Sequence, residues 1–115
     1  MKRKEFELKQ IESSIRYLKI RFDYMMTDDV YWKKYRDVIA RLSGEHHAET
    51  LDEIREEFEW YCEQLKKLAW ECDEETRRLM RDALALLAER DMYFLTTPVA
   101  LVVVLDVLYE TLKER

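Results

Sequence analysis

The sequence predicts an all-α protein, a bundle of four or five helices. Hydrophobic residues recur along most of the chain at alternating steps of three and four, which is the spacing of one face of a helix. The charged residues, 39% of the chain, are mostly helix formers, and a single Gly and a single Pro are too few for the turns of a β protein. At 115 residues, 48% of them hydrophobic, the chain can build one modest core, so residues 1–115 are taken as one domain.

The first predicted helix covers residues 4–26 and carries two apolar stripes. The main stripe has the seven-residue repeat of a bundle seam. Its members are Leu8, Ile11, Ile15, Leu18, Phe22 and Met25. The second stripe, Tyr17, Ile20 and Tyr24, lies on another face. We therefore expect both apolar faces of the second half of this helix to be covered, by the fold itself or by a partner.

A second helix is predicted at residues 28–43, with Thr27, Asp28 and Asp29 supplying its N-cap side chains and first-turn acids. Gly44 follows directly and fits the left-handed conformation that ends many helices. The apolar face of this helix is broad. It consists of Tyr31, Trp32, Tyr35, Val38, Ile39 and Leu42.

Two further helices are predicted between residues 50 and 94. Thr50 and Glu53 have the spacing of a capping box, and Asp73 is the predicted N-cap of the fourth helix. One long helix with a shifted repeat is the alternative. The third helix has its apolar stripe at Leu51, Ile54, Phe58, Tyr61, Leu65, Leu68 and Cys72. The fourth has its expected core at Leu79, Met80, Ala83, Leu84 and Leu87.

The last helix is predicted to begin at Pro98, with Thr97 as its cap, and to be strongly apolar. Its first two turns, residues 99–105, are apolar on every side, so they must be enclosed by the fold or by another subunit. We expect a two-fold dimer, because the apolar surface exceeds what one small core covers. The expected interface residues are Tyr17, Ile20, Tyr24, Val99, Val102 and Val103.

Charge is unevenly distributed along a chain whose net charge is −5. Residues 1–43 have a net charge of +4 and residues 44–75 a net charge of −9. The first stretch has a basic face. Its basic residues alternate in the sequence with aromatic residues, a combination that is typical of nucleic-acid binding. The basic face comprises Lys33, Lys34, Arg36 and Arg41. The second stretch has an acidic face that suits a basic protein partner. It comprises Glu53, Glu56, Glu57 and Glu63.

Two short motifs resemble those of helical enzymes. The segment Asp52-Glu53-Ile54-Arg55-Glu56 resembles the E-E-x-x-E box of MazG-type nucleotide pyrophosphohydrolases. Val103-Val104-Leu105-Asp106 falls where their E-x-x-D box follows, with Val103 in the place of an acid. This resemblance implies a Mg²⁺-dependent nucleotide hydrolase.

A second resemblance concerns Arg41 and His46, whose spacing is similar to the R-x4-H motif of HEPN ribonucleases, with Leu42 where that family has a polar residue. HEPN proteins are helical bundles that dimerise to build their active site. The resemblance implies that Arg41 and His46 are catalytic.

The cysteines and the apolar stretches bear on cellular location. Cys62 and Cys72 would lie roughly 15 Å apart on one helix, too far for a disulfide. We expect no secretory signal, since Glu5 follows the basic start, and no membrane span, since the apolar run at 99–105 is short. The expected location is the cytoplasm. No cofactor or metal is expected.

These observations favour a non-enzymatic accessory module that binds other proteins and associates with itself. The absence of Asn, with Gln only at positions 10 and 64, is typical of a thermophile's protein. Small proteins of mobile elements have a similar construction. The alternatives are one of the two enzymes above, a nucleic-acid-associated regulator using the basic face, and a designed scaffold.

Overall fold

The computed structural model describes residues 2–26, 51–89 and 98–115. These residues form four α-helices and no strand, so the all-α prediction is confirmed for the part described. The helices are α1 (Lys2–Met26), α2 (Leu51–Glu71), α3 (Glu74–Glu89) and α4 (Pro98–Lys113). The helix predicted at 28–43 lies outside the described residues. Among the four described helices, none has both the length and the apolar character needed to cross a bilayer.

Helix α1 turns one apolar side into the core. Ile11, Ile15, Leu18 and Phe22 are fully buried there. The ring of Phe22 stacks on Phe58 of α2, with 4.1 Å between the ring centroids and 10° between the planes. Burying a side chain of this size contributes about 1.5–3 kcal/mol, so this contact anchors α1 to α2.

Helix α2 is rotated relative to the prediction. Its innermost side chains include Cys62 and Ala69, whereas Tyr61 and Leu68 are only partly buried at the edge of the core. Three positions of the predicted stripe, Ile54, Phe58 and Leu65, are fully buried as expected, so the buried side is turned by less than one residue from the predicted stripe.

A two-residue break separates α2 from α3. The backbone N–H of Thr76 donates to Oδ1 of Asp73 at 2.8 Å, which confirms Asp73 as the N-cap. The buried guanidinium of Arg77 donates to the carbonyl oxygens of Ala69 and Cys72, both at 2.9 Å. These carbonyls belong to the last turn of α2 and the residue after it, so Arg77 satisfies acceptors that the helix itself leaves free.

Helices α3 and α4 complete the core. In α3, Met80 and Leu84 are fully buried and Leu87 nearly so, but Leu79 is exposed. The prediction that Leu79 is a core residue is wrong, because the buried side of α3 is centred on Met80 and Leu84. Pro98 is the first residue of α4, as predicted.

The contacts also give the helix directions. Arg3 lies 3.5 Å from Glu74, and Arg21 donates to the carbonyl oxygen of Leu87, so α1 and α3 run in the same direction. Arg55 of α2 pairs with Asp23 of α1 at 2.5 Å, and Lys4 lies over the ring of Trp70, so α1 and α2 are antiparallel. Helix α1 packs mainly against α3, and α2 mainly against α4.

Candidate interaction surfaces

The side of α1 opposite the core is an exposed apolar surface. Tyr17, Ile20 and Tyr24 are 55%, 64% and 77% exposed. Phe6, 61% exposed, lies on the same face and extends it toward the start of the helix. Phe6 was not predicted to be part of this face, although steps of four and three residues connect positions 6, 10, 13, 17, 20 and 24.

This surface also lacks charge along the whole helix. Its six positions, which we call the outer stripe of α1, are Phe6, Gln10, Ser13, Tyr17, Ile20 and Tyr24. Gln10 is partly buried and the other five positions are exposed; in a chain with 39% charged residues, five exposed positions would ordinarily include about two charges. Exposed apolar surface of this extent is typical of a contact with another molecule.

The expected contact residues of α4 are divided between core and surface. Val102 is buried in the protein's own core and Val99 is half-buried against it, whereas Val103 is 52% exposed. Val102 is thus corrected from a surface residue to a core residue, because the inward side of α4 is centred on Leu101 and Leu105. Val107, 59% exposed, lies one turn beyond Val103 on the outward side.

The two halves of the expected interface lie on separate faces. The exposed residues of α1 and α4 point away from the common core, and these two helices make few contacts with each other. The structure therefore brings Tyr17, Ile20 and Tyr24 together but does not place Val103 beside them. A single two-fold contact would use one face or the other.

An acidic seam lies where α2 meets α4. Burial, together with the charges of Glu53 and Asp106, raises the pKa of Glu57. The pKa of Tyr61 is raised to about 12 by burial, by a hydrogen bond to Asp106 and by the neighbouring carboxylates. The aromatic rings of Trp60 and Tyr109 close the outer side of this seam, 5.8 Å apart and edge to face. The negative charge at this seam opposes the loss of a proton from Glu57 and from Tyr61.

The seam contains parts of the motif that resembles the MazG-type boxes. Glu53 and Asp106 lie on facing helices, and Glu56 is exposed on α2, as is Glu63. In residues 2–26, 51–89 and 98–115, no three His, Cys, Asp or Glu side chains are grouped so that they could hold a metal ion. The exposed Val103 adds no ligand.

The other candidate site residues lie outside the described ranges. They are Lys33, Lys34, Arg36 and Arg41 of the basic face and the pair Arg41 and His46 of the HEPN-like motif. Nucleic-acid contact by the basic face and catalysis by Arg41 and His46 therefore stay predictions.

A buried ionic cluster joins α1 to α3. The carboxylate of Glu7 is 1% exposed, and nitrogen atoms of Arg3, Arg78 and Arg81 lie 4.0, 3.9 and 3.7 Å from its oxygens. These distances are too long for hydrogen bonds, so the arginines hold Glu7 by charge alone. This cluster was not predicted from the sequence. The sequence feature that could have indicated it is a charged residue, Glu7, one turn before the core residue Ile11 and so on the buried side of α1. The helix α3, which packs against α1, carries Arg78 and Arg81.

The two cysteines are both free thiols. Cys62 is buried, and burial raises its pKa to about 11. Cys72 is half-buried, and burial also raises its pKa. Raised pKa values leave little reactive thiolate at neutral pH, so neither thiol is poised as a nucleophile.

Comparisons of the chain with protein-family models, with curated proteins and with solved structures gave no match.

Proposed function

We propose that this protein is a non-enzymatic interaction module, a helical bundle that forms a two-fold dimer through the outer stripe of α1. The observation that carries the proposal is the uncharged, exposed surface from Phe6 to Tyr24. Water-facing helix surfaces in so charged a chain are otherwise rich in Glu, Lys and Arg. A contact with another molecule removes the cost of leaving these rings in water.

The exposed area sets the strength of the contact. From their exposed fractions, the four large side chains of the stripe present on the order of 450 Å² per protomer. Two protomers would together bury roughly 900 Å², well below the roughly 1,200–2,000 Å² of standard stable interfaces and in the range of weak, transient ones. The expected dimer is therefore weak, with dissociation in the micromolar range.

A second copy of the chain fits this surface better than an unrelated protein does. Charged groups are what an interface uses to select one partner over others, and the outer stripe has none. A two-fold contact requires only that a surface be complementary to itself, which an apolar stripe of large and small side chains satisfies. Ser13, in the middle of the stripe, leaves room for a large side chain of the partner.

The test compares Ile20→Asp with a matched control, Leu86→Asp. Both variants place a carboxylate at an exposed leucine or isoleucine, but Leu86 is on α3. Ile20 would be buried twice in a two-fold dimer, so Ile20→Asp should weaken association by on the order of a thousandfold. Leu86→Asp should associate like the wild type.

Sedimentation velocity over a concentration series measures both variants, with circular dichroism to verify that each is folded. If Ile20→Asp associates as strongly as the wild type, the outer stripe is not the interface. A loss of association in Val103→Asp but not in Ile20→Asp would move the interface to α4 and overturn the proposal.

A further inference from the structure

A cleft of about 390 Å³ opens between α1 and α2. Its lining comes from Glu12, Ile15, Arg16 and Lys19 of α1 and from Lys66 of α2. This cleft is on the flank of α1 that faces α2, beside the outer stripe but distinct from it. The dimer proposal makes no use of it.

The cleft is rich in positive charge. Three cationic side chains line it against one carboxylate. Lys66 lies 3.5 Å from the carboxylate of Glu63. Within the ranges that the structure describes, Arg16 and Lys19 take part in no ion pair. In this part of the chain, therefore, no carboxylate neutralises these two cations.

Lys19 of α1 and Lys66 of α2 line the same cleft, and the charges of both act on the thiol of Cys62. Burial raises the pKa of this thiol to about 11, and the positive charges of Lys19 and Lys66 both act against that rise. Positive charge from two different helices is therefore presented to one cleft. Ile15, fully buried, forms an apolar floor.

We infer that this cleft binds a small phosphomonoester that carries hydroxyl groups, such as a sugar phosphate. A guanidinium beside two ammonium groups matches the charge and the donor geometry that a phosphate dianion requires. Glu12 repels the phosphate but accepts a hydrogen bond from a hydroxyl group, so it favours a hydroxylated ester over inorganic phosphate. The volume accommodates a molecule of this size.

Isothermal titration calorimetry at low ionic strength, with ribose 5-phosphate and inorganic phosphate as probes, tests the inference. The wild type should bind one ribose 5-phosphate per chain, more tightly than phosphate. Lys66→Ala should weaken binding of the ester at least about fivefold. The matched control is Lys67→Ala, because Lys67 is the adjacent, exposed lysine and does not line the cleft.

Glu12→Ala gives a further readout with opposite signs for the two probes. It should strengthen binding of inorganic phosphate, because a repelling charge is lost, and weaken binding of ribose 5-phosphate, because an acceptor is lost. A purely structural role for Glu12 would change both in the same direction.

Three results would overturn the inference. One is the absence of binding heat with either probe at millimolar concentration, and another is equal weakening by Lys66→Ala and Lys67→Ala. The third is tighter binding of a single-stranded oligonucleotide than of ribose 5-phosphate, with a steep salt dependence, which would assign the cleft to a nucleic-acid backbone.

Discussion

Replacing Arg77 by Met tests the junction between α2 and α3. The methionine keeps the apolar stem of the arginine but removes the two donors that reach the carbonyl oxygens of Ala69 and Cys72. Each bond from a charged donor contributes about 1.5–3 kcal/mol. The cost of burying the guanidinium offsets part of that gain. We expect a net loss of about 3 kcal/mol in the free energy of unfolding.

In a domain of this size, such a loss lowers Tm by on the order of 10 °C. Thermal and urea unfolding followed by circular dichroism measure it. Arg77→Lys should be intermediate, since an ammonium group cannot donate to both carbonyls with the planar geometry of a guanidinium.

The matched control is Arg115→Met, which removes an exposed ion pair with Glu75 at the same end of the molecule. Exposed pairs contribute about 0–1 kcal/mol, so this variant should be nearly as stable as the wild type. If Arg77→Met were as stable as Arg115→Met, the guanidinium would have no part in holding the end of α2, and the reasoning would be refuted.

Three further predictions concern ionisable groups in the core and at the acidic seam. Glu57→Gln should raise Tm at pH 7 by no more than about 1–2 °C, since solvent screens this partly exposed carboxylate. The gain should vanish below pH 4, where the carboxyl group with its raised pKa is protonated in both states; Glu56→Gln serves as the control. With Cys72 replaced by Ser, the remaining thiol of Cys62 should react slowly with a disulfide reagent, at a rate still rising above pH 9, and a fast reaction at pH 7 would contradict its burial. Glu7→Met should cost about 1–3 kcal/mol in urea unfolding, because the arginines around it lose their counter-charge, and an unchanged stability would show that the cluster contributes nothing.

The sequence was most informative where spacing alone decides burial. The stripe at Ile11, Ile15, Leu18 and Phe22 is the buried side of α1, because alternating steps of three and four can only face one direction. Asp73 could be identified as a cap, since its side chain acts on its own backbone neighbourhood. Local interactions of this kind require no knowledge of the tertiary structure.

The prediction was wrong where several positions compete for one core. Tyr61 and Cys62 both fit an apolar stripe, and only the position of α4 decides that the small thiol faces inward while the larger ring stays at the seam. Val102 and Val103 pose the same problem. Where a helix is apolar on every side, the sequence pattern does not show which side faces the core. The sequence alone offers no way to choose between them.

The candidate site was predictable in part. The stripe at Tyr17, Ile20 and Tyr24 was recognised from its spacing, and the structure adds Phe6 to the same face. The cleft was not recognised, because Arg16, Lys19 and Lys66 come from two helices whose relative position is a tertiary property. Side chains that converge from distant positions in the sequence become visible only once the helices are packed.

The most direct test of the central claim is the mass of the wild-type protein in solution as a function of concentration. Sedimentation equilibrium should show the 14.2 kDa chain at low concentration and twice that mass as the concentration rises through the micromolar range. A mass that stays at 14.2 kDa up to about 100 μM would contradict the claim that the outer stripe of α1 is a dimer interface.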